Sequence, residues 1–151
     1  MMRWPLHTLA RDSRGAAIVE LAMIAPVLAT MIVGVVDLSN AFGRKLKLEQ
    51  AAQRAIEKIM NTSANDTVEA TLQNEAATQA GVPLSNVTVT YRLECNGSVS
   101  SAVDCPTGQT ESQWISVLVT DKYKPLFPMH LSGINADGTY HISATAGVRI
   151  E

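Results

Sequence analysis

The chain has 151 residues, of which 46% are hydrophobic and 17% charged, and its 12 basic residues nearly balance its 14 acidic residues. This balance excludes a strongly basic nucleic-acid-binding protein, and the hydrophobic content excludes a charged disordered protein. Aromatic residues make up only 5% of the chain, which argues against a surface for stacking nucleic acid bases. The composition indicates a folded chain long enough for one small domain.

The N-terminal part combines a basic leader with a long apolar run. The leader ends at Arg14-Gly15, and the apolar run extends from Ala16 to Val36, where Asp37 closes it. A helix of about 21 residues rises about 30 Å, which matches the hydrocarbon core of a bilayer. The run predicts one transmembrane helix. A cleaved secretory signal has a shorter apolar region and a small-residue cleavage site, for which only residues 39–41 are a candidate.

One acidic residue, Glu20, lies inside the apolar run, five positions after Gly15. A carboxylate costs roughly 2.5 kcal/mol or more at the bilayer centre and less near its surface, so Glu20 requires a partner. A basic leader that ends in Gly, followed by apolar residues with Glu at the fifth place, resembles the processing site of type IV prepilins. The resemblance extends to the TadE-like pseudopilins of tight-adherence pilus systems through the segments Glu20–Ala22, Ala25–Leu28, Gly34–Asp37 and Gln50–Ala55.

The resemblance implies that a prepilin peptidase removes residues 1–15 by cutting between Gly15 and Ala16. It also implies that Glu20 acts in assembly by pairing with the terminal amine of a neighbouring subunit. The new amine on Ala16 would lie at the start of a helix, where the macrodipole disfavours a cation, so a nearby carboxylate would offset the charge. The alternative is that Glu20 lies at the membrane surface and accepts hydrogen bonds from water or lipid headgroups.

On this resemblance the chain is a minor pilin that acts in pilus biogenesis, adhesion and surface attachment. The expected partners are the prepilin peptidase, other pilin or pseudopilin subunits, the inner-membrane assembly platform and membrane lipid, without nucleic acid. We expect a single pass through the inner membrane, with the C-terminal domain in the periplasm or in an extracellular pilus. The alternative is an uncleaved, membrane-anchored periplasmic scaffold or binding protein.

The basic residues near the span oppose this orientation. Three arginines precede the span, whereas Arg44, Lys45, Lys47 and Arg54 follow it. Because positive residues usually stay in the cytoplasm, the count alone would place the C-terminal domain there. We give the leader more weight, because the basic residues beyond Phe42 lie on an amphipathic helix, where they can serve packing.

The residues after Asp37 continue the helix. Apolar residues recur at spacings of three and four up to Ile59, which is typical of an amphipathic helix. We expect one rod from about Ala17 to Met60, roughly 65 Å long, within a helical segment of residues 16–60. Pro26 crowds the carbonyl of Ala22, which favours a kink or local unwinding, although membrane helices also tolerate proline.

The remaining residues, 61–151, predict an α+β domain. A loop with a possible N-cap at Asp66 or Thr67 precedes a second helix, which is predicted to span Val68 to Ala80 and to end at Gly81-Val82-Pro83. Alternating apolar and polar residues predict three strands, which begin at Val87, Trp114 and Tyr140. Turn-rich connections favour an antiparallel sheet of about three strands, with the long helix packed on its apolar face.

Cys95 and Cys105 lie between the first two predicted strands. An even pair around a loop, in a domain that the leader would place outside the cytoplasm, predicts a disulfide bond. A loop this short gains somewhat under about 3 kcal/mol from the bond. Free thiols are the alternative for a cytoplasmic domain. A zinc site with His130 and His141 is a further alternative, but it lacks a Cys-x2-Cys pair.

No constellation of residues is typical of an enzyme. His7, His130 and His141 are scattered, and no serine or cysteine has a histidine partner suggested by its spacing. Asp121 and Asp137 show no pairing that marks a general acid or base. We therefore expect no catalytic activity, no cofactor and no bound metal.

Overall fold

The computed structural model describes residues 13–61, 68–126 and 136–150. They form an α+β fold in which two helices cover one face of an antiparallel sheet, with strand order β2-β1-β3-β4. The predicted fold class, a long N-terminal helix packed on a small antiparallel sheet, is confirmed. The elements are α1 (Ser13–Asn61), α2 (Val68–Ala80), a short 3-10 turn (Leu84–Asn86), β1 (Val87–Cys95), β2 (Ser98–Ser100), β3 (Glu111–Tyr123) and β4 (Tyr140–Arg149).

Helix α1 is a rod of 49 residues, about 73 Å long at 1.5 Å per residue. It ends at Asn61, next to the predicted end at Met60. The helix continues through Pro26 without local unwinding at Ala22, and a kink at Pro26 stays a prediction. Helices α1 and α2 pack against each other. Lys58 Nζ of α1 forms an ion pair with Glu75 Oε2 of α2 at 2.5 Å.

Strand alternation selects the side chains that face the helices. Val117 on the central strand β3 is opposite Val89 of β1 and Ala146 of β4, and it is fully buried. Many of the helix residues that meet this face are alanines, so the backbones of both helices approach the sheet closely. The buried helix residues are Leu48, Ala51, Ala52, Ala55 and Ile56 of α1 and Leu72, Ala76, Ala77 and Ala80 of α2.

The structure has a fourth strand, β2, where the sequence predicts a loop. Asn96 and Gly97 both have positive φ, 50° and 78°, and they connect the paired residues Cys95 and Ser98. This is the two-residue hairpin that Asn-Gly favours, because both residues adopt left-handed conformations readily. The chain therefore turns back at Asn96, and β2 forms the short edge of the sheet.

The predicted bounds of α2 and its end at Gly81 agree with the structure. Gly81 has φ of 67°, its N–H donates to Thr78 O at 3.3 Å, and the N–H of Val82 donates to Ala77 O at 3.0 Å. These two bonds form the Schellman motif that glycine favours at helix ends. The possible N-cap at Asp66 or Thr67 lies outside the described residues, as do residues 1–12, which include His7, and residues 127–135, which include His130.

Candidate functional site

The first half of α1 projects from the domain. Every side chain from Gly15 to Ile32 is exposed, and apolar residues such as Leu28 keep about half of their surface accessible. The most apolar 18-residue window of this helix has a mean hydropathy of 2.3, and none of it is buried. Among the described residues, α1 is the one helix long and apolar enough to cross a membrane.

The residues predicted for processing and assembly lie on this projecting half. Gly15, Ala16 and Glu20 are all exposed, and an added Cβ at Gly15 would meet no atom within 4 Å. Ala16 and Glu20 are four residues apart, so they share a helix face about one turn from each other. The geometry leaves both the Gly15-Ala16 bond and the Glu20 carboxylate open to other molecules.

Asp37, which closes the apolar run, ties α1 to the sheet. Tyr123 donates its hydroxyl hydrogen to Asp37 Oδ1 at 2.6 Å, and the backbone N–H of Leu126 donates to the same oxygen at 3.1 Å. The hydrogen bond to this carboxylate, aided by burial, raises the pKa of the Tyr123 hydroxyl above its ordinary value. The end of the apolar segment is thus fixed relative to the domain.

The basic residues that follow the span hold the folded domain together. Arg44 Nε lies 2.5 Å from Asp121 Oδ2, and Arg44 Nη1 donates to the carbonyl of Ala80 at 2.8 Å. Lys45 donates to a backbone carbonyl of β4, and Arg54 donates to a glutamine side chain of α2. Three of the four positive residues that oppose the predicted orientation therefore have structural roles.

Cys95 and Cys105 form a disulfide bond, with their Cα atoms 5.6 Å apart. The bond joins the end of β1 to the segment that leads into β3. Asn96 N–H also donates to Thr110 O at 2.9 Å, which closes the same segment. Because the two sulfurs are bonded to each other, neither cysteine is a free thiol or a zinc ligand in this structure.

Within the ranges that the structure describes, no group of three or more His, Cys, Asp or Glu residues is placed to hold a metal ion. His141 is exposed on the uncovered face of β4. That face also carries Trp114, whose indole N–H donates to Glu94 Oε2 at 3.1 Å and whose ring lies 5.8 Å from the guanidinium carbon of Arg92. Trp114 is thus held by sheet neighbours, outside the buried core.

Two contacts between α1 and the sheet could not be predicted from the sequence. Asp37 and Tyr123 are 86 positions apart and Arg44 and Asp121 are 77 apart, so no local pattern reports either pair. The sequence does single out Asp37, because it is the charged residue that ends the apolar run. Gly15, Ala16, Glu20 and Pro26 all lie on α1, whereas the disulfide is on the sheet, and the two groups are not brought together.

Residues 15–56 match a protein family described as TadE-like protein. Comparisons with curated proteins and with solved structures gave no match. The matched range begins at Gly15 and includes the apolar run together with most of the packed half of α1, but none of the sheet. It points to a component of the tight-adherence pilus system. The resemblance of this chain to TadE-like proteins is therefore confirmed over residues 15–56.

Proposed function

We propose that the chain is a pseudopilin, or minor pilin, of a tight-adherence type IV pilus, matured by a prepilin peptidase that cuts after Gly15. It acts in pilus biogenesis, adhesion and surface attachment. The observation that carries this proposal is the projecting half of α1, which is apolar, fully exposed and carries its single acid five residues after Gly15. This half lies within the region that matches the TadE-like family.

An apolar rod of this length requires a partner other than water. Exposed apolar surface costs about 25 cal/mol per Å², and the domain covers none of the most apolar window. In the precursor the partner is membrane lipid, and in the pilus it is the equivalent helix of neighbouring subunits. Small residues permit close packing of such helices in lipid, where fit replaces the hydrophobic effect. On this segment they are Ala17, Ala22, Ala25, Ala29 and Gly34.

Glu20 places a negative charge among these packed helices, and this charge needs a partner. A carboxylate among apolar helices needs an opposite charge, because burial of an unpaired ion is costly. Cleavage after Gly15 creates a positive amine on Ala16, one turn away on the same face. Neighbouring subunits displaced along the bundle axis can then pair Glu20 of one with the amine of the next.

Two features support a domain outside the cytoplasm. The disulfide of Cys95 and Cys105 is of a kind that persists in oxidising compartments. The basic residues after the span bond to Asp121 and to backbone carbonyls of the domain, which accounts for their position without a cytoplasmic location. The proposed partners are the peptidase, other pilin subunits and the inner-membrane assembly platform, and the proposed role needs no catalysis by this chain.

The mass of the chain from cells with and without the prepilin peptidase tests the proposal. We expect loss of residues 1–15 and a new N-terminus at Ala16 only when the peptidase is present. Gly15→Val should block this cleavage, whereas the matched Gly34→Val should not. Neither glycine has an atom within 4 Å of an added Cβ, so the domain itself is undisturbed in both variants. An intact leader in cells with active peptidase would favour the uncleaved membrane-anchored scaffold instead.

A further inference from the structure

An apolar groove lies between α1 and one end of the sheet. Its floor is formed by one face of α1 over residues 30–45, and its wall by Tyr123, Tyr140 and Ile142. The volume of the groove is about 600 Å³. Gly34 leaves its floor open, since an added Cβ there would meet no atom within 4 Å.

The groove crosses the expected membrane surface. Thr30 and Gly34 belong to the predicted span, whereas Lys45 lies nine residues beyond Val36, about 13 Å further along the axis. The lower part of the groove therefore opens into hydrocarbon, and its apolar walls continue to the level of the headgroups. Tyrosine, which supplies two of the wall residues, is enriched at this level of a membrane.

The dimensions of the groove favour a thin occupant. Residues 30–45 rise about 22 Å. The groove volume of about 600 Å³ is the space open to the centres of water-sized spheres, so the mean width between its surfaces over this length is about 9 Å. An α-helix with its side chains is about 10–12 Å across, so a second helix would lie on the rim rather than inside the groove. A single unbranched hydrocarbon chain is thinner and fits inside it.

We propose that this groove holds one acyl chain of a membrane phospholipid, raised along α1 from the leaflet on the side of the domain. The lower end is continuous with the bilayer, which supplies the lipid. At the upper end Lys45 is held in place by its bonds to the Ser143 carbonyl and to Glu49, whose Oε1 lies 3.3 Å from Nζ. The Lys45 ammonium group is therefore placed to contact the phosphate of the lipid whose acyl chain fills the groove. The inference rests on the membrane placement of α1 and not on cleavage after Gly15.

Photocrosslinking of the full-length chain in lipid nanodiscs tests this inference. The probe is phosphatidylethanolamine with a diazirine on the headgroup-proximal part of one acyl chain. After irradiation and peptide mapping, we expect adducts on residues 16–36 from surrounding lipid and a separate adduct on residues 140–142, beyond the span. Gly34→Leu fills the floor of the groove and should remove the second adduct while leaving the first.

Gly43→Leu is the matched control, because Gly43 is also a helical glycine with open space around it but does not line the groove. It should retain both adducts. Adducts confined to residues 16–36 would overturn the groove proposal alone, and their absence from that segment would reject the membrane placement as well. A benzoylphenylalanine in place of Ile142 that captures a second copy of the chain, and no lipid, would also overturn it.

Discussion

The two halves of α1 both carry leucines, but in opposite surroundings. Leu28 in the first half keeps 50% of its surface exposed, whereas Leu48 in the second half is completely buried. The second half carries its apolar residues on one stripe, which α2 and the sheet cover. The first half is apolar on all sides, and every residue from Gly15 to Ile32 is exposed.

This difference indicates that the two halves of α1 suit different surroundings. A stripe of alanines and leucines suits a protein core on one side and water on the other. An apolar circumference suits lipid or a bundle of similar helices. The boundary falls near Asp37, where the carboxylate accepts hydrogen bonds from Tyr123 and Leu126. Variants in the two halves should therefore affect different properties.

Replacement of Glu20 should have the largest effect on assembly. Glu20→Gln removes the negative charge proposed to pair with a neighbouring amine, so we expect normal membrane insertion but loss of incorporation into pili. Glu49→Gln is the matched control, since Glu49 lies on the packed half of α1 and contacts Lys45. Immunodetection of the chain in sheared filaments measures the result. Equal incorporation of the Glu20→Gln chain and the unchanged chain would reject the pairing.

Truncation of Leu48 should have the largest effect on domain stability. Leu48→Ala opens a cavity in the core and should lower the free energy of unfolding by about 2–5 kcal/mol. Leu28→Ala makes the same chemical change in the projecting half and should change it by less than about 0.5 kcal/mol. Urea unfolding of the full chain in detergent micelles, followed by tryptophan fluorescence, compares them. Similar losses in both variants would contradict the division of α1.

Removal of the disulfide should have the next largest effect. The double variant Cys95→Ser, Cys105→Ser should lose somewhat under about 3 kcal/mol, because the bond limits the conformations of the unfolded chain. The same unfolding measurement applies. Mass mapping of the two cysteine peptides under non-reducing conditions checks that the bond forms in cells. Reduced cysteines in the native chain would place the domain in the cytoplasm.

Loss of the Tyr123 hydroxyl should have a smaller and pH-dependent effect. Tyr123→Phe removes a hydrogen bond to a carboxylate and should cost about 1–3 kcal/mol at neutral pH. Because the folded state raises the pKa of Tyr123, the stabilisation is complete below the unfolded pKa of about 10 and is lost as the pH rises through the folded pKa. Stability should thus fall more steeply above pH 10 in the unchanged chain than in Tyr123→Phe. Parallel alkaline profiles would refute this account.

Much of the fold follows from sequence periodicity, whereas the contacts between elements do not. The alternation in β4 and the termination of α2 by Gly81 are local signals, and the structure reproduces both. The Asn96-Gly97 hairpin is also a local signal, and the predicted loop between the first two strands overlooks it. The pairing of Arg44 with Asp121 depends on the register of α1 on the sheet, which tertiary packing determines.

The candidate site likewise has one part that the sequence predicts and one part that it does not. Gly15 and Glu20 are recognisable from their spacing alone, because the feature they form lies within a single helical segment. The groove beside Tyr123 and Tyr140 has no sequence signature, since β3, β4 and α1 must first come together to form it.

Labelling of single cysteines along α1 by a membrane-impermeant maleimide, in intact membranes accessible from both sides, tests the central claim most directly. We predict that cysteines at Leu21 and Leu28 stay unlabelled until detergent is added, whereas cysteines at Ser39 and Gln50, which are exposed on the second half, react at once. Rapid labelling at Leu21 and Leu28 in intact membranes would contradict the assignment of the two halves to lipid and to the folded domain.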